Sequence, residues 1–441
     1  MKAIAIIFIP VIVLLNFSCN SVEPPGGSVI NLKLEDVSCT EAWIALSTAN
    51  IQLPISIILR QNDQNRTTIN LVKPDTLLYI DSLLPNQTYK YQVSSNEYQV
   101  SSNELNVTTL DTTSHNFTFE TFTFGDISNS YLFDVAIING NNIWAVGEIR
   151  IADTSATGYT KYNAVHWDGS EWNLKQIPFT GNCSAVLYPP IRSIWAFSDT
   201  DIWFARGGSL VHFNGANYYN DCNMNSLLTG SINKIWGTSS SDLYVVGNDG
   251  NIVHYNGILW SKIESGTDVD FLDVWGTPDG SIVWVSGRDL NKTVLIKIEN
   301  QEANIVFEEH YPWQIQKGKI SGGISSIWTD NANYLYATTP INVYRCLSNT
   351  SGEGKEIYPY EDYLYGGTVR IRGTGVNNIF TSGSNSSILH YNGFNWKRYE
   401  QFYDENAYLY SSDTKDNLLV AVGDKLENIL YYKAILIVGR K

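Results

Sequence analysis

The sequence has few basic residues and few cysteines. Its 441 residues include 29 Lys and Arg against 44 Asp and Glu, a formal net charge of −15. Such a charge repels a phosphate backbone and argues against nucleic acid as a partner. The five cysteines show no C-x-x-C spacing, which argues against zinc-ribbon and thioredoxin-like sites. No stretch has convincing helical periodicity, so α/β architectures are set aside.

Long apolar runs are also missing, apart from the first residues of the chain. Lys2 precedes an apolar run from Ala3 to Leu15, which is too short to span a bilayer comfortably, and Ser18-Cys19 follows. The small residue before Cys19 resembles the lipobox of bacterial lipoproteins, although Asn16 stands where Leu is usual. The resemblance implies a signal peptide over 1–19 and lipid attachment at Cys19, with ordinary secretion as the alternative.

The segment that follows fits a short tether. Residues 20–27 include Pro24-Pro25-Gly26-Gly27, a polar and turn-rich linker. Acylation at Cys19 would anchor the chain in a lipid bilayer, and we expect the outer membrane or cell surface, with a periplasmic face as the alternative. In an exported chain disulfides persist, and Cys183 and Cys222 stand at similar places after successive repeats. One interpretation is a disulfide between these two cysteines, and the other is that both are buried free thiols.

Residues 28–110 predict a small β-sandwich. Short alternating apolar runs such as Ile30 to Leu34 and Trp43 to Leu46 are separated by turn signals, at a spacing that suits seven strands. The stretch from Leu83 to Val93, with Pro85, Tyr89 and Tyr91, resembles the fibronectin type III signature. That resemblance implies a fibronectin type III-like domain that serves as a spacer or in adhesion.

Beyond Thr113 one phrase recurs with a period of about 45 residues, which is typical of solenoids and propellers. Its clearest copy runs from Ile235-Trp236-Gly237 through His254-Tyr255-Asn256-Gly257 to Trp260. Each copy ends a strand with a His-aromatic-Asn/Asp-Gly phrase, and the Asn-Gly or Asp-Gly pair predicts a hairpin with both residues at positive φ. Four antiparallel strands per repeat make one propeller blade.

The repeats predict an all-β propeller over residues 113–441. Seven blades are expected, with six or eight as alternatives, near residues 132–178, 191–220, 231–266, 270–312, 321–362, 367–402 and 405–441. The last blade lacks room for a fourth strand. We predict that the alternating segment Phe117–Phe124 supplies it and closes the ring, because closure removes two exposed sheet edges.

The recurring polar residues are explained by the blades. The four His of the repeat are expected to be hydrogen-bonded turn residues, and no metal ligand, cofactor or catalytic residue is assigned. Asp199-Thr200-Asp201 and Asp268-Val269-Asp270 match the Asp-x-Asp pattern of many glycosyltransferases, but the first coincides with a turn of the repeat. Function is therefore expected in loops that do not repeat.

Those loops lie at one face of the predicted propeller, where ligands commonly bind. Long insertions are expected at residues 150–162 and 181–190. Candidate residues of the binding rim are Arg206, Asn248, Asp249 and Arg288, and the two Arg favour an anionic or carbohydrate ligand.

The leading interpretation is a non-enzymatic surface lipoprotein, monomeric, that binds a glycan or an envelope protein through one propeller face. The whole chain resembles the lipoprotein propellers of Bacteroidetes-like bacteria. One alternative is a carbohydrate-active enzyme, namely a glycoside hydrolase, a lyase or a glucosyl transferase. Another is an assembly scaffold of the cell envelope, which a contiguous apolar patch on the blade sides would indicate.

Overall fold

The computed structural model describes residues 27–181, 185–221, 224–311, 320–331, 333–347, 354–358, 367–428 and 431–441. The chain divides into two units, Met1–Asp111 and Thr112–Lys441. Within the described ranges, β-strands predominate and the helices are single 3-10 turns at Met224–Ser226 and Glu400–Phe402. None of the described helices is long and apolar enough to cross a bilayer.

The described residues of the first unit, from 27 onward, form eight strands in two antiparallel sheets. One sheet has the order β1-β2-β5, and the other has the order β4-β3-β6-β7, with β8 paired to β6. The strands are β1 (Val29–Val37), β2 (Ala42–Ala49), β3 (Ile55–Gln61), β4 (Gln64–Leu71), β5 (Asp75–Ile80), β6 (Thr88–Ser95), β7 (Val100–Ser101) and β8 (Leu105–Thr108).

Both sheets of the first unit contribute to one apolar core. Ile44 and Ile57, from different sheets, and Tyr91 are fully buried in it. The corner before β6 is held by a tyrosine, since the backbone N–H of Leu84 donates to the hydroxyl of Tyr89 at 2.9 Å. Such a bond fixes the direction in which the chain enters the strand.

The described residues of the second unit contain seven four-stranded antiparallel sheets. The first sheet consists of β10 (Tyr131–Asn139), β11 (Asn142–Ala152), β12 (Tyr159–Trp167) and β13 (Trp172–Lys175). The second consists of β16 (Ser193–Ser198), β17 (Asp201–Arg206), β18 (Ser209–Phe213) and β19 (Tyr218–Asp221). The third consists of β20 (Ile232–Ser239), β21 (Asp242–Gly247), β22 (Ile252–Tyr255) and β23 (Trp260–Ile263). Between the first two sheets, β14 (Phe179–Gly181) and β15 (Ala185–Leu187) form a separate hairpin.

The next three sheets follow the same plan. The fourth sheet consists of β24 (Phe271–Gly276), β25 (Val283–Arg288), β26 (Lys292–Glu299) and β27 (Glu302–His310). The fifth consists of β28 (Ser326–Trp328), β29 (Tyr334–Thr338), β30 (Val343–Leu347) and β31 (Gly354–Tyr358). The sixth consists of β32 (Thr368–Gly375), β33 (Asn378–Gly383), β34 (Ile388–Tyr391) and β35 (Trp396–Arg398). The first strands of consecutive sheets contact one another.

The last sheet combines the two ends of the unit. It consists of β36 (Ala407–Lys415), β37 (Leu418–Asn428), β38 (Tyr431–Arg440) and β9 (Thr118–Phe124). The pairing of β9 with β38 is the one that the alternating Phe117–Phe124 segment predicts. The first strand of this sheet contacts that of the first sheet, so the seven sheets close on themselves. The core consists of apolar clusters between neighbouring sheets.

The four repeat histidines are hydrogen-bonded, as the sequence predicts, but they lie in the third strands of their sheets and not in the turns. The Nε2 atom of each histidine is hydrogen-bonded, at 2.8 to 3.0 Å, to the Asn or Asp that begins the second strand of the same sheet. The imidazole ring stacks on the aromatic residue two positions after that Asn or Asp. The sets are His166 with Asn142 and Trp144, His212 with Asp201 and Trp203, His254 with Asp242 and Tyr244, and His390 with Asn378 and Phe380. Asp201 of the Asp-x-Asp pattern is therefore a structural partner of a histidine.

The turn after each repeat histidine differs from the sequence prediction. Only the glycine has positive φ, for example 87° at Gly257, whereas we predicted positive φ at both residues. The reason is the side chain of the preceding residue. Asn256 Oδ1 accepts hydrogen bonds from the backbone N–H groups of Ile258 and Leu259, both at 3.0 Å, and this Asx turn needs a left-handed conformation at the glycine alone.

Candidate functional site

The first strands of the seven sheets place one buried polar residue each at an equivalent register position. All seven are at most 9% exposed. We call this set the channel ring, and its members are Asp134, Ser193, Lys234, Asp273, Ser326, Arg370 and Ser411. Buried polar groups of this kind are stable only when they are hydrogen-bonded or paired.

Asp134 is the acceptor for one half of the channel ring. Its two carboxylate oxygens lie 2.6 and 2.7 Å from the ammonium group of Lys234. The hydroxyls of Ser193 and Ser411 donate to the same carboxylate at 2.9 and 2.7 Å. The backbone N–H of Ile194 adds a further bond at 3.0 Å.

Asp273 has the same role in the other half. Arg372 donates to both of its oxygens at 2.8 and 2.9 Å, and Arg370 Nη1 lies 2.8 Å from Oδ1. The hydroxyl of Ser326 and the backbone N–H of Ile327 also donate to it. Asp273 is fully buried, so its charge depends entirely on these partners.

The ion pairs control the protonation of the channel ring. Burial alone would raise the pKa of both carboxyls. The charges of Lys234 and Arg370 instead hold the pKa of Asp134 below its usual range. The charges of Arg370 and Arg372 do the same for the pKa of Asp273. Desolvation lowers the pKa of Lys234 to about 8, against the attraction of Asp134. Both carboxyls are therefore ionised at neutral pH.

A cavity of about 250 Å³ opens where the first strands begin. We call it the channel mouth. Its lining contains the four cations Arg192, Lys234, Arg288 and Arg370, the three aromatic residues Phe133, Tyr408 and Tyr410, and the single carboxylate Asp134. Two of these cations are paired with carboxylates of the channel ring, Lys234 with Asp134 and Arg370 with Asp273.

The arginines of the channel mouth are held in place by the walls. The guanidinium of Arg192 lies over the ring of Phe133, 4.6 Å from its centroid. Nη1 of Arg288 donates to the carbonyl oxygen of Gly323 at 3.4 Å. Desolvation lowers the pKa of both groups, and for Arg192 the positive charge of Arg370 adds to that effect.

A second cavity, of about 540 Å³, shares Tyr408 and Tyr410 with the channel mouth. We call it the outer groove. The two tyrosines pack on each other with ring centroids 4.9 Å apart, and Tyr410 contacts Phe133 at 5.6 Å. The remaining lining is mainly polar: Asn129, Tyr131, Asn385, Glu405, Asn406, Asp424 and Tyr432. Tyr410 donates to Asp424 at 2.9 Å, while burial raises the pKa of Asp424.

A third cavity, of about 250 Å³, lies toward the other end of the first strands. We call it the rear cavity, and its lining includes Trp275, Arg372, Asp413 and Lys415. Arg372 lies over the ring of Trp275 at 4.4 Å from the centroid. Lys234 borders both this cavity and the channel mouth, so the ion pairs of the channel ring lie between the two.

The structure brings one predicted rim residue into the channel mouth. Arg288 lines it, and Asn248 lies behind it, where its Oδ1 accepts a hydrogen bond at 2.6 Å from Asn233, another lining residue. Arg206 ends the second strand of its sheet and Asp249 follows the second strand of the next, but neither residue lines the channel mouth.

Two of the five cysteines lie within the described residues. Cys19, Cys183 and Cys222 lie outside the described residues, so lipid attachment and the disulfide stay predictions. Cys39 and Cys346 are buried free thiols. The described part of the chain contains no group of three His, Cys, Asp or Glu residues placed to hold a metal ion.

Sequence reasoning missed the channel ring and most of the channel mouth. A signal was present, because a charged residue directly precedes the apolar pair of the repeat in Lys234-Ile235-Trp236 and in Asp273-Val274-Trp275. Charges at a position that the repeat otherwise buries indicate mutual pairing across the ring. Arg192 and Tyr408 give no such signal, since they lie at the ends of strands.

Comparison with known proteins identifies a fold. No family model matches the chain, and no curated protein matches it. Among 416 matching solved chains is the structure titled "YCF48 bound to D1 peptide". It aligns with a TM-score of 0.52 and 13% sequence identity, over 73% of this chain and 95% of that one. This likeness, together with the closed series of four-stranded sheets, shows that the chain contains a β-propeller.

Proposed function

We propose that this chain is a non-enzymatic binding protein whose propeller holds a glycan in the channel mouth and the outer groove. The observation that carries the proposal is that the two cavities share Tyr408 and Tyr410 in their linings. The channel mouth and the outer groove therefore lie side by side and suit neighbouring parts of one ligand. Ligand sites are concave surfaces of this kind, with a few convergent polar groups.

The chemistry of the lining favours a sugar. Four tyrosines provide rings and hydroxyls, and Asn129, Asn385 and Asn406 provide planar amides that both donate and accept hydrogen bonds. Sugars combine apolar ring faces with hydroxyls that do the same. Among the lining residues of the outer groove only Ala407 and Leu426 are aliphatic, so there is little to hold the apolar side chains of a peptide.

The channel mouth supports binding better than proton transfer. A general acid or base must titrate near the working pH. Asp134, the single carboxylate of the lining, is instead fixed in its ionised form by Lys234, with its oxygens already occupied by four donor groups.

The test is a glycan array probed with residues 20–441. We expect binding by the wild-type chain and loss of it in Tyr408→Ala, because Tyr408 borders both cavities. Tyr219→Ala is the matched control, since Tyr219 is 54% exposed on another sheet. Equal binding by the two variants would contradict the proposed site, and an array without any ligand would contradict the glycan.

Protein binding is the second candidate. It is favoured by the similar propeller, whose title describes it bound to a peptide. A pull-down from cell-envelope extract, run beside the array with the same two tyrosine variants, distinguishes the candidates. A protein that is retained by Tyr219→Ala and lost by Tyr408→Ala would replace the glycan as ligand.

A carbohydrate-active enzyme has one observation in its favour. Glu405 and Asp424 line the same outer groove, and burial raises the pKa of Asp424, as in a general acid. We expect bound oligosaccharides to remain intact after prolonged incubation. Hydrolysis that Asp424→Asn abolishes would establish the enzyme instead.

The proposal includes an architecture and an anchor. We propose seven blades, because seven described sheets close on one another, and a fibronectin type III-like first unit, because its sheet orders and the Tyr89 corner fit that domain. We also propose lipid attachment at Cys19. Membrane association that persists in Cys19→Ala would contradict the anchor, whereas release into the soluble fraction is expected.

A further inference from the structure

The outer groove contains negative charge without a balancing cation. Glu405 and Asp424 line it, and the described residues of its lining include no Lys, Arg or His. Lys425, the basic residue next to Asp424 in the sequence, pairs elsewhere, since its Nζ lies 3.0 Å from Asp404. The channel mouth differs, because four basic residues line it. The two cavities therefore suit different parts of a ligand.

Asp424 is the buried acceptor of the outer groove. The residue is 9% exposed, and its Oδ2 accepts a hydrogen bond from the hydroxyl of Tyr410 at 2.9 Å. No described group donates to Oδ1, which is not enclosed and can be reached from the groove. Burial raises the pKa of Asp424, and the hydrogen bond from Tyr410 opposes that effect. A largely buried carboxylate with one oxygen unused is stabilised when a donor from outside reaches it.

Aromatic rings line the same groove. Tyr131, Tyr408, Tyr410 and Tyr432 contribute four, and the ring centroids of Tyr408 and Tyr410 lie 4.9 Å apart. The hydroxyl of Tyr408 has no hydrogen-bond partner in the described part of the chain and is not enclosed, so it is available to a ligand. Aromatic faces attract ammonium groups, and they also pack on the apolar faces of sugar rings. Together these features favour a positive charge that is carried by a sugar.

An inorganic cation fits the outer groove less well than an ammonium group. A hard cation such as Ca²⁺ needs about six to eight oxygen ligands, usually with several carboxylates among them. Glu405 is exposed and accepts a hydrogen bond from the hydroxyl of Tyr403 at 2.9 Å, which leaves Asp424 as the single buried carboxylate of the lining. An ammonium group has only three N–H donors. Oδ1 of Asp424 and the hydroxyls or amides of the lining can accept all three.

We infer that the outer groove is a subsite for an amino sugar residue, with its protonated amine at Oδ1 of Asp424 and its ring against Tyr408 and Tyr410. The inference rests on the proposed function, which it makes more specific. The next sugar, in the channel mouth, is uncharged, because Arg192 there pairs with no described carboxylate and would repel a second ammonium. The net charge of −15 also favours the approach of a cationic glycan. The ligand class is therefore a glycan with unacetylated hexosamine.

The experiment is calorimetric titration of residues 20–441 with a glucosamine trisaccharide at about pH 6, where an amine with a pKa of about 7.7 or higher is protonated. The matched ligand is the same trisaccharide with every amine acetylated, which removes the charge and keeps the sugar rings. The third ligand is trilysine, which has ammonium groups without sugar rings. We expect the acetylated trisaccharide to bind about tenfold more weakly or worse. The affinity for the amine form should also fall as salt is raised.

Variants locate the effect. Asp424→Asn keeps the size of the side chain, and it should lower the affinity for the amine form about tenfold. Its affinity for the acetylated form should stay nearly unchanged, which also shows that the variant is folded. Glu427→Gln is the charge-matched control, since Glu427 is exposed on the same strand and does not line the groove. An equal effect of Glu427→Gln would indicate general attraction to an acidic surface and would overturn the subsite.

The remaining outcomes distinguish the subsite from the proposed function. Equal binding of the two trisaccharides, or equal loss of both in Asp424→Asn, would overturn the amino sugar subsite while leaving a glycan-binding protein. Binding of trilysine alone would overturn both and favour a protein partner. Absence of binding to all three ligands, when the glycan array shows a neutral ligand, would overturn the subsite only.

Discussion

The most demanding prediction concerns Asp273→Asn, which removes one charge from the middle of the channel ring. Asp273 is fully buried and accepts hydrogen bonds from Arg372, Ser326 and the backbone of Ile327, with Arg370 Nη1 2.8 Å away. The asparagine keeps the size of the side chain but leaves two guanidinium groups buried without a counter-charge. Removing one partner of a buried pair costs about 3–5 kcal/mol.

The assay is urea unfolding followed by tryptophan fluorescence. Twelve of the 13 tryptophans lie beyond Asp111, so the signal reports almost entirely on the propeller. A loss of about 3–5 kcal/mol should also lower the midpoint of thermal unfolding by roughly 5–10 °C. Asp268→Asn is the control, since the Asp268 side chain is 95% exposed on the same face, 4.0 Å from Lys292.

The pH dependence provides a second check on the same variant. The pKa of Asp273 is lowered in the folded chain, so its contribution to stability is present above the unfolded pKa and is lost as pH falls through the folded value. The difference between wild type and Asp273→Asn should therefore be largest near neutral pH and shrink below about pH 4. Equal stability of Asp273→Asn and Asp268→Asn at pH 7 would refute the account of the channel ring.

Three further predictions concern the rest of the fold. Burial, and next the charge of His115, lower the pKa of His390 to about 3, so below pH 6 the unfolded chain binds a proton that the folded chain does not bind. The free energy of unfolding should therefore fall by about 1.4 kcal/mol per pH unit below pH 6. His390→Gln should flatten that slope in urea titrations, and an unchanged slope would contradict the prediction. Phe119→Ala in the closing strand should cost about 1–3 kcal/mol of unfolding free energy and hasten proteolysis there, whereas wild-type resistance would argue against closure. Burial raises the pKa of Cys39 to about 11 and of Cys346 to about 12, so both should resist thiol reagents at pH 8 until the chain unfolds; rapid labelling of the native chain at either residue is the contrary result.

The repeat made the propeller predictable, because each blade must bury the same face and so needs the same residues at the same places. The closing strand was predictable for a related reason. The last repeat lacked a fourth strand, and the alternating segment Phe117–Phe124 had no other partner. The fibronectin type III-like unit and the lipid anchor remain predictions.

Loops and insertions were harder to predict. Residues 150–162 were expected to form a long loop. Instead β11 extends to Ala152 and β12 begins at Tyr159, so only a short turn joins the two strands. Residues 181–190 include the strand Ala185–Leu187, which belongs to a hairpin. Tertiary pairing decided both cases, and alternation over so few residues is too weak a signal to reveal it.

The candidate site could be predicted only in part. Arg288 stood out because it is a cation at the end of a recognisable repeat strand. Arg192, Arg370 and Tyr408 meet it in the channel mouth from other sheets, up to 120 residues away along the chain. Such convergence depends on how the blades close around the axis, which a one-dimensional pattern does not specify.

A crystal structure of residues 20–441 with an oligosaccharide selected on the glycan array tests the central claim most directly. We predict that the ligand occupies the channel mouth and the outer groove, with one sugar ring against Tyr408. A ligand bound in the rear cavity beside Lys415, or on the outer strands of the blades, would contradict the account.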